Sequence, residues 1–238
     1  MDDLPGLTPI PCPTPARPLL GMTILVVEDS LYACDAMRLM CLHSGARIRR
    51  ADCLRSARRH LQVYRPSAVI IDHGLPDGSG LALIKELSEG QPRVTSILGS
   101  SGSEGAEDAA LAAGADGFLA KPVTNLGVFQ QTMLATLPQD RQPTGPRILR
   151  NDEVFPDPLA YRDDMIHVSN LLDEHSDGPI LDYVAQFLGG VARSADDRQL
   201  AQAADALGAQ RRGGAALNSR VAQVAGLVQE RLSARAAM

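Results

Sequence analysis

The feature that most constrains this chain is a recurrence of short apolar runs, each followed by a stretch of helical spacing. Ile24-Leu25-Val26-Val27 is the first run. It is too short for a helix and apolar throughout, as a strand covered on both faces must be. Ser30 then offers an N-cap to a helix carrying Leu31, Met37, Leu39, Met40 and Leu42, which stops at Gly45. The unit repeats. A weak strand over 46–51 precedes a helix over 53–64, and Ala68-Val69-Ile70-Ile71 precedes a helix over 80–87. Ile97-Leu98 centres a strand before a helix over 106–113, and Gly117-Phe118-Leu119-Ala120 precedes a helix over 124–137. Strands that alternate with helices predict a five-stranded parallel, doubly wound α/β domain over 22–137, because each parallel crossover passes over a face of the sheet.

The flanks read differently. Pro5, Pro9, Pro11, Pro13, Pro15 and Pro18 break up residues 1–21, which reads as a disordered tail. Residues 138–147 are polar and proline-broken, a linker. Helical spacing over 159–174, 179–193, 197–210 and 215–234 predicts an all-α bundle spanning 148–238. Aromatics are 3% of the chain and Trp is absent, so stacking platforms for single-stranded nucleic acid have little material. The net charge of −5 gives no general field for a polyanion, and nucleic acid is expected not to be a partner. No apolar run approaches membrane-spanning length, so no membrane association is expected. Cys12, Cys34, Cys41 and Cys53 form no CxxC pair and follow no signal-like segment, which predicts reduced thiols in a cytoplasmic protein. Cys34 and Cys41 are expected to be small core residues.

In a doubly wound sheet the residues just beyond the carboxyl ends of the strands build the site. Here they are Glu28 and Asp29, Asp72, Ser101 and Lys121. Carboxylates gathered at one pole repel unless a cation joins them, and Mg²⁺, a hard ion that favours oxygen ligands, meets that need. Asp72 would complete its ligands and present an oxygen to a phosphoryl donor. Lys121 and Ser101 would supply charge and a hydrogen bond to the phosphoryl oxygens.

The segment from Met22 to about Leu137 resembles the receiver domain of two-component response regulators. The matching pieces are ILVVEDS, VIIDHGLPDGSG and GADGFLAKP, in that order and each at a predicted strand end. The resemblance implies a flavodoxin-like fold and Mg²⁺-dependent phosphotransfer to Asp72 from a sensor histidine kinase or phosphotransfer protein. It also implies slow self-catalysed dephosphorylation. Carried onto this sequence, the metal set is Glu28, Asp29, Asp72 and the backbone carbonyl of Gly74. The switch pair is Ser101 with Phe118, Ser100 being the alternative hydroxyl. The Lys121-Pro122 bond resembles the cis peptide of that family. His73 is expected at the surface, and Asp77, Glu104 and Asp116 as solvated loop charges.

The bundle is harder to read. Residues 147–238 carry ten Arg and no Lys against thirteen acidic residues, and no helix-turn-helix is evident. No enzymatic output motif appears either, so the chain reads as a phosphoacceptor switch and not as an enzyme. A fainter resemblance is to histidine phosphotransfer domains, whose motif runs roughly His-x-Leu-Lys-Gly-Ser. Laid on AQAADALGAQRRGGAAL it puts Asp205 at the histidine and Gly208 at the lysine, which would leave the module unable to carry phosphate. His167 and His175 remain nearby, each expected as an ordinary surface or core histidine. The expectation is a module for docking a protein partner or for homodimerisation, with Val184, Phe187, Leu188 and Val191 on one apolar face and Val221, Val224 and Val228 on another. A DNA-binding transcriptional regulator, or a phosphorelay protein whose bundle is phosphotransfer-like, are the alternatives.

Overall fold

The computed structural model describes residues 12–146, 152–174, 178–212 and 217–234. The strands are β1 (Thr23–Val27), β2 (Arg47–Ala51), β3 (Ala68–Asp72), β6 (Ser96–Ser101) and β7 (Gly117–Ala120), while β4 (Gly74–Leu75) and β5 (Gly78–Ser79) form a small antiparallel ladder after β3. The large sheet is parallel in the order β2-β1-β3-β6-β7. That order reverses direction between β1 and β3, which makes their carboxyl ends the switch point of a flavodoxin-like sheet. The expected α/β architecture is therefore present, and a helical region follows it.

Helices α1 (Leu31–His43), α2 (Leu54–Val63), α3 (Gly80–Glu89), α4 (Ala106–Ala112) and α5 (Leu126–Ala135) cover the two faces. Under α1 and α5 the core includes Ile24, Val26, Met37, Leu98 and Phe129, and on the other face Leu25, Val27, Ile71, Leu83 and Ile97. Alternate residues of one strand thus feed opposite cores, which is why β1 and β3 are apolar at every interior position. Side chains fix the helix starts. Ser30 accepts from the Ala33 amide at 3.0 Å. Asp77, across a loop, accepts from the Leu54 and Arg55 amides at 2.7 and 2.9 Å. Asp77 is thus a cap for α2 and no mere solvated charge. Asp116 is likewise structural, for it accepts from the Ile97 amide at 2.8 Å and pairs with Arg93 at 2.7 Å.

The last part of the expected tail is folded. Leu19 is fully buried among the α1 and α5 core residues, and its amide donates to Ser44 O at 2.9 Å. Proline spacing excluded a helix there but not a turn that inserts one apolar side chain. Residues 1–11 lie outside the described residues.

The helical region comprises α6 (Pro158–Glu174), α7 (Gly178–Ser194), α8 (Arg198–Arg212) and α9 (Asn218–Ala234). Val184, Leu188 and Val191 pack with Leu200, Leu207, Val224 and Val228 in one core. The apolar faces expected to await a partner are instead spent on each other, since helices of this length gain most of their stability by burying such faces. Tyr32 of α1 joins this cluster and meets Tyr161 edge to face at 5.7 Å between centroids. Among the described residues no helix is long and apolar enough to cross a membrane.

Candidate functional site

The carboxyl ends of β1, β3, β6 and β7 bring Glu28, Asp29, Asp72, Ser101 and Lys121 to one cavity. Each arrives by local necessity. Burial of β1 and β3 on both faces confines carboxylates to the strand ends, Asp72 as the last residue of β3 and Glu28 and Asp29 just past β1. Gly80 is required because a Cβ there would collide with the Asp72 carbonyl oxygen, so the chain returns tightly past the strand end. The Lys121-Pro122 bond is cis, as the resemblance implies.

Oxygens of Glu28, Asp29 and Asp72 lie within 4.8 Å of one another. Lys121 Nζ reaches Glu28 Oε2 at 2.7 Å and Asp72 Oδ1 at 2.6 Å, and the Gly74 amide donates to Asp72 Oδ2 at 2.7 Å. Glu28 Oε2 sits at ion-pair distance from the lysine without making a well-angled hydrogen bond to any group. The distance governs the charge interaction and the angle does not, so the two form an ion pair.

Burial pushes Glu28 up to about 8, opposed by Lys121 and reinforced by Asp72 and Asp29. Burial likewise pushes Asp29 up to about 7, with Asp72 adding to the shift. Lys121 is held charged, because Asp72 and Glu28 more than offset the burial that opposes it. One lysine against three carboxylates leaves the cluster short of positive charge, and a hard divalent cation fits that deficit and that all-oxygen set.

Of the two candidate hydroxyls, Ser101 lines the cavity, whereas Ser100 is fully buried with its Oγ donating to Leu119 O at 3.1 Å. Gly74 lines the cavity too, and the contact it makes there is its amide on Asp72. Phe118 is half-buried against the α2–α4 side core and tilted on His73, 5.8 Å between ring centroids. His73 is therefore not a surface residue: its Nε2 is buried without a hydrogen-bond partner, and burial lowers its basicity.

Several participants were missed from sequence. Tyr183 of α7 donates its hydroxyl to Asp29 Oδ2 at 2.9 Å. Gln186, Phe187, Val191 and Arg193 of the same helix line the cavity. Asp164 of α6, 2% exposed, accepts from Ser30 Oγ at 2.7 Å, Leu31 N at 2.8 Å and Tyr32 N at 3.1 Å. No sequence signal joins residues so far apart, although an aspartate amid the apolar spacing of α6 is a polar residue in need of a partner. Asp205, placed at the phosphotransfer position from sequence, lies on α8 outside the cavity lining and pairs with Arg193 at 3.0 Å. The helix that faces the strand ends is α7 and not α8. His167 is exposed beside Tyr183 and Phe187, and His175 lies outside the described residues.

A parallel sheet with an acidic pole, an acceptor-placed aspartate and an inward lysine defines the class, and residues 24–131 match the model of the response regulator receiver domain. Residues 24–131 are thus a response regulator receiver domain. Similar curated proteins include the KDP operon transcriptional regulatory protein KdpE of Escherichia coli K12, 30% identical over 123 residues that cover 52% of this chain and 54% of that protein. The virulence transcriptional regulatory protein PhoP of Salmonella typhimurium is 32% identical over 103 residues, 42% of this chain and 46% of PhoP. The chain thus spans about half the length of these relatives. A putative response regulator from Chloroflexus aurantiacus is a similar solved structure, with 31% identity, 42% of this chain and 85% of that one covered, and a TM-score of 0.40. The chemotaxis response regulator CheY4 of Vibrio cholerae gives 24% identity, 49% and 98% coverage, and a TM-score of 0.44. The expectation that nucleic acid is not a partner gains no support from relatives named as transcriptional regulators.

Proposed function

We propose that the chain is a phosphoacceptor switch that takes a phosphoryl group on Asp72 from a histidine kinase or phosphotransfer protein. The observation that carries this is the convergence of Glu28, Asp29, Asp72 and Lys121 at the switch point, with Ser101 beside them. A carboxylate oxygen of Asp72 attacks phosphorus, and the bond from phosphorus to the donor's leaving atom breaks. Lys121 already spans Glu28 and Asp72 and retains a third N–H for a phosphoryl oxygen. The Ser101 hydroxyl accepts from the Ser103 amide at 3.2 Å, so its own proton is free to bond the phosphoryl group. Mg²⁺, held by Glu28, Asp29, Asp72 and the Gly74 carbonyl, would neutralise charge that builds on the transferring group. Beyond taking up and slowly hydrolysing this group the chain is not an enzyme, and it acts in the cytoplasm.

The output runs through the helical region and a protein that it engages. Transcriptional regulation is the second reading, favoured by the names of the curated relatives. Duplex DNA binding that falls steeply with salt would support it. The test of the acceptor is labelling of the full chain by a small phosphodonor with Mg²⁺. Asp72→Asn, which keeps the shape and loses the nucleophile, is expected to abolish stable labelling, and undiminished labelling would overturn the assignment.

A further inference from the structure

Helix α7 lies across the pole of the sheet that carries Asp72. Tyr183 donates to Asp29, Arg193 lies against Gly102, and Gln186 sits so close to Gly74 that a Cβ on residue 74 would collide with its amide. The cavity that remains is about 20 Å³, room for roughly one water and not for a phosphoryl group with its donor. Helix α6 holds this arrangement from the side. Its Asp164 is the partner of the Leu31 and Tyr32 amides, first-turn donors of α1 that no carbonyl of their own helix can satisfy. A carboxylate removed from water is costly unless its hydrogen bonds are made, and all of these are made across the junction of receiver and bundle.

We propose that α7 is a receiver-docking surface that occupies, within one chain, the pole where a phosphoryl donor must approach, with Gln186 standing where the donor's phosphorylated side chain would stand. The inference rests on Asp72 being the acceptor. The phosphotransfer motif, laid on α7 in place of α8, reads Gln186-Phe187-Leu188-Gly189-Gly190-Val191, keeps the leucine and the glycine before the last position, and has valine for the serine. Glutamine replaces the histidine and glycine the lysine. A carboxamide nitrogen is not nucleophilic, so α7 binds the acceptor pole without exchanging phosphate with it. The external partner this pole fits is a helical bundle that presents phosphohistidine, and it competes with α7 for the same ground. The chain is phosphorylated only in the fraction of molecules whose α6 and α7 have lifted away.

Amide exchange at Leu31 and Tyr32 in the full chain reads the docking of the bundle on the receiver, because Asp164 of α6, which packs on α7, is what protects them. Gln186 is exposed and outside the bundle core, so Gln186→Trp wedges α7 off Gly74 without unfolding the bundle, which circular dichroism checks. We expect slow exchange at both amides in the wild type and faster exchange in the variant. Labelling by a small phosphodonor should rise at least about fivefold, since the observed rate scales with the open fraction. Exchange already as fast in the wild type, or faster exchange with an unchanged labelling rate, overturns the proposal. Tyr183→Phe, which keeps the ring and loses the bond to Asp29, should shift both readouts the same way to a smaller extent. If Asp72→Asn labels like the wild type, the acceptor assignment fails, while the exchange data still decide whether the bundle is docked on the receiver.

Discussion

At Asp29 two demands meet: a metal site needs a carboxylate beside Asp72, and a folded chain is strained by having one buried there. Burial and the neighbouring Asp72 raise Asp29 to about 7, whereas an unfolded aspartate titrates near ~4. The folded form thus binds the proton more tightly. Its contribution to stability is fully present below the unfolded value and is lost as pH rises through about 7. Without divalent metal, Asp29→Asn is expected to stabilise the chain by about 1 kcal/mol at neutral pH, a rise of roughly 2–4 °C in Tm. The gain should shrink towards pH 4, and thermal melts across that range check it. The same variant should bind Mg²⁺ more weakly in calorimetric titration, because one carboxylate of the proposed hard-ion set is gone. The cysteines give a second residue-scale expectation. Burial pushes the Cys34 and Cys41 thiols up to about 12, while Cys12 is exposed. Alkylation of the native chain near pH 8 should therefore mark Cys12 and spare Cys34 and Cys41, which peptide mapping would show.

Among the elements, α1 depends on a residue more than a hundred positions away. Removing its outer cap by Asp164→Ala should cost about 1–2 kcal/mol, read as a lowered urea midpoint. Leu19→Ala should cost about 2–5 kcal/mol, read in the same way, because the turn before β1 puts that side chain in the core. These positions mark the limit of what the sequence makes legible. Strands and helices of the receiver can be read because apolar runs and caps are local, and Glu28, Asp29, Asp72 and Lys121 because strand ends are local too. Between Ser100 and Ser101 the sequence leaves two hydroxyls open, and the structure separates them, since Ser101 lines the cavity while Ser100 donates to Leu119 O. The partners of Asp164, Tyr183, Asp77 and Asp116 are set by tertiary approach and leave no periodic trace. The bundle's helices were legible from spacing, but which apolar face meets which was not, and that is why faces buried in its core read as free.

At the scale of the whole molecule, the pole of the receiver sheet that carries Asp72 lies under a helix of the bundle, and on the proposed reading acceptor chemistry and the packing of the two parts are one equilibrium. A cation that binds the pole stabilises whichever arrangement leaves Asp29 free to receive it, by its differential affinity alone. Where the phosphoryl group goes decides between an acceptor at Asp72 and any other site. The most direct measurement is to label the full chain with a small phosphodonor and Mg²⁺, reduce the acyl phosphate with borohydride, and locate the product by peptide mass spectrometry. Homoserine is expected at position 72 and nowhere else. Reduction at Glu28 or Asp29, or an acid-labile label on a histidine with position 72 unmodified, would contradict it.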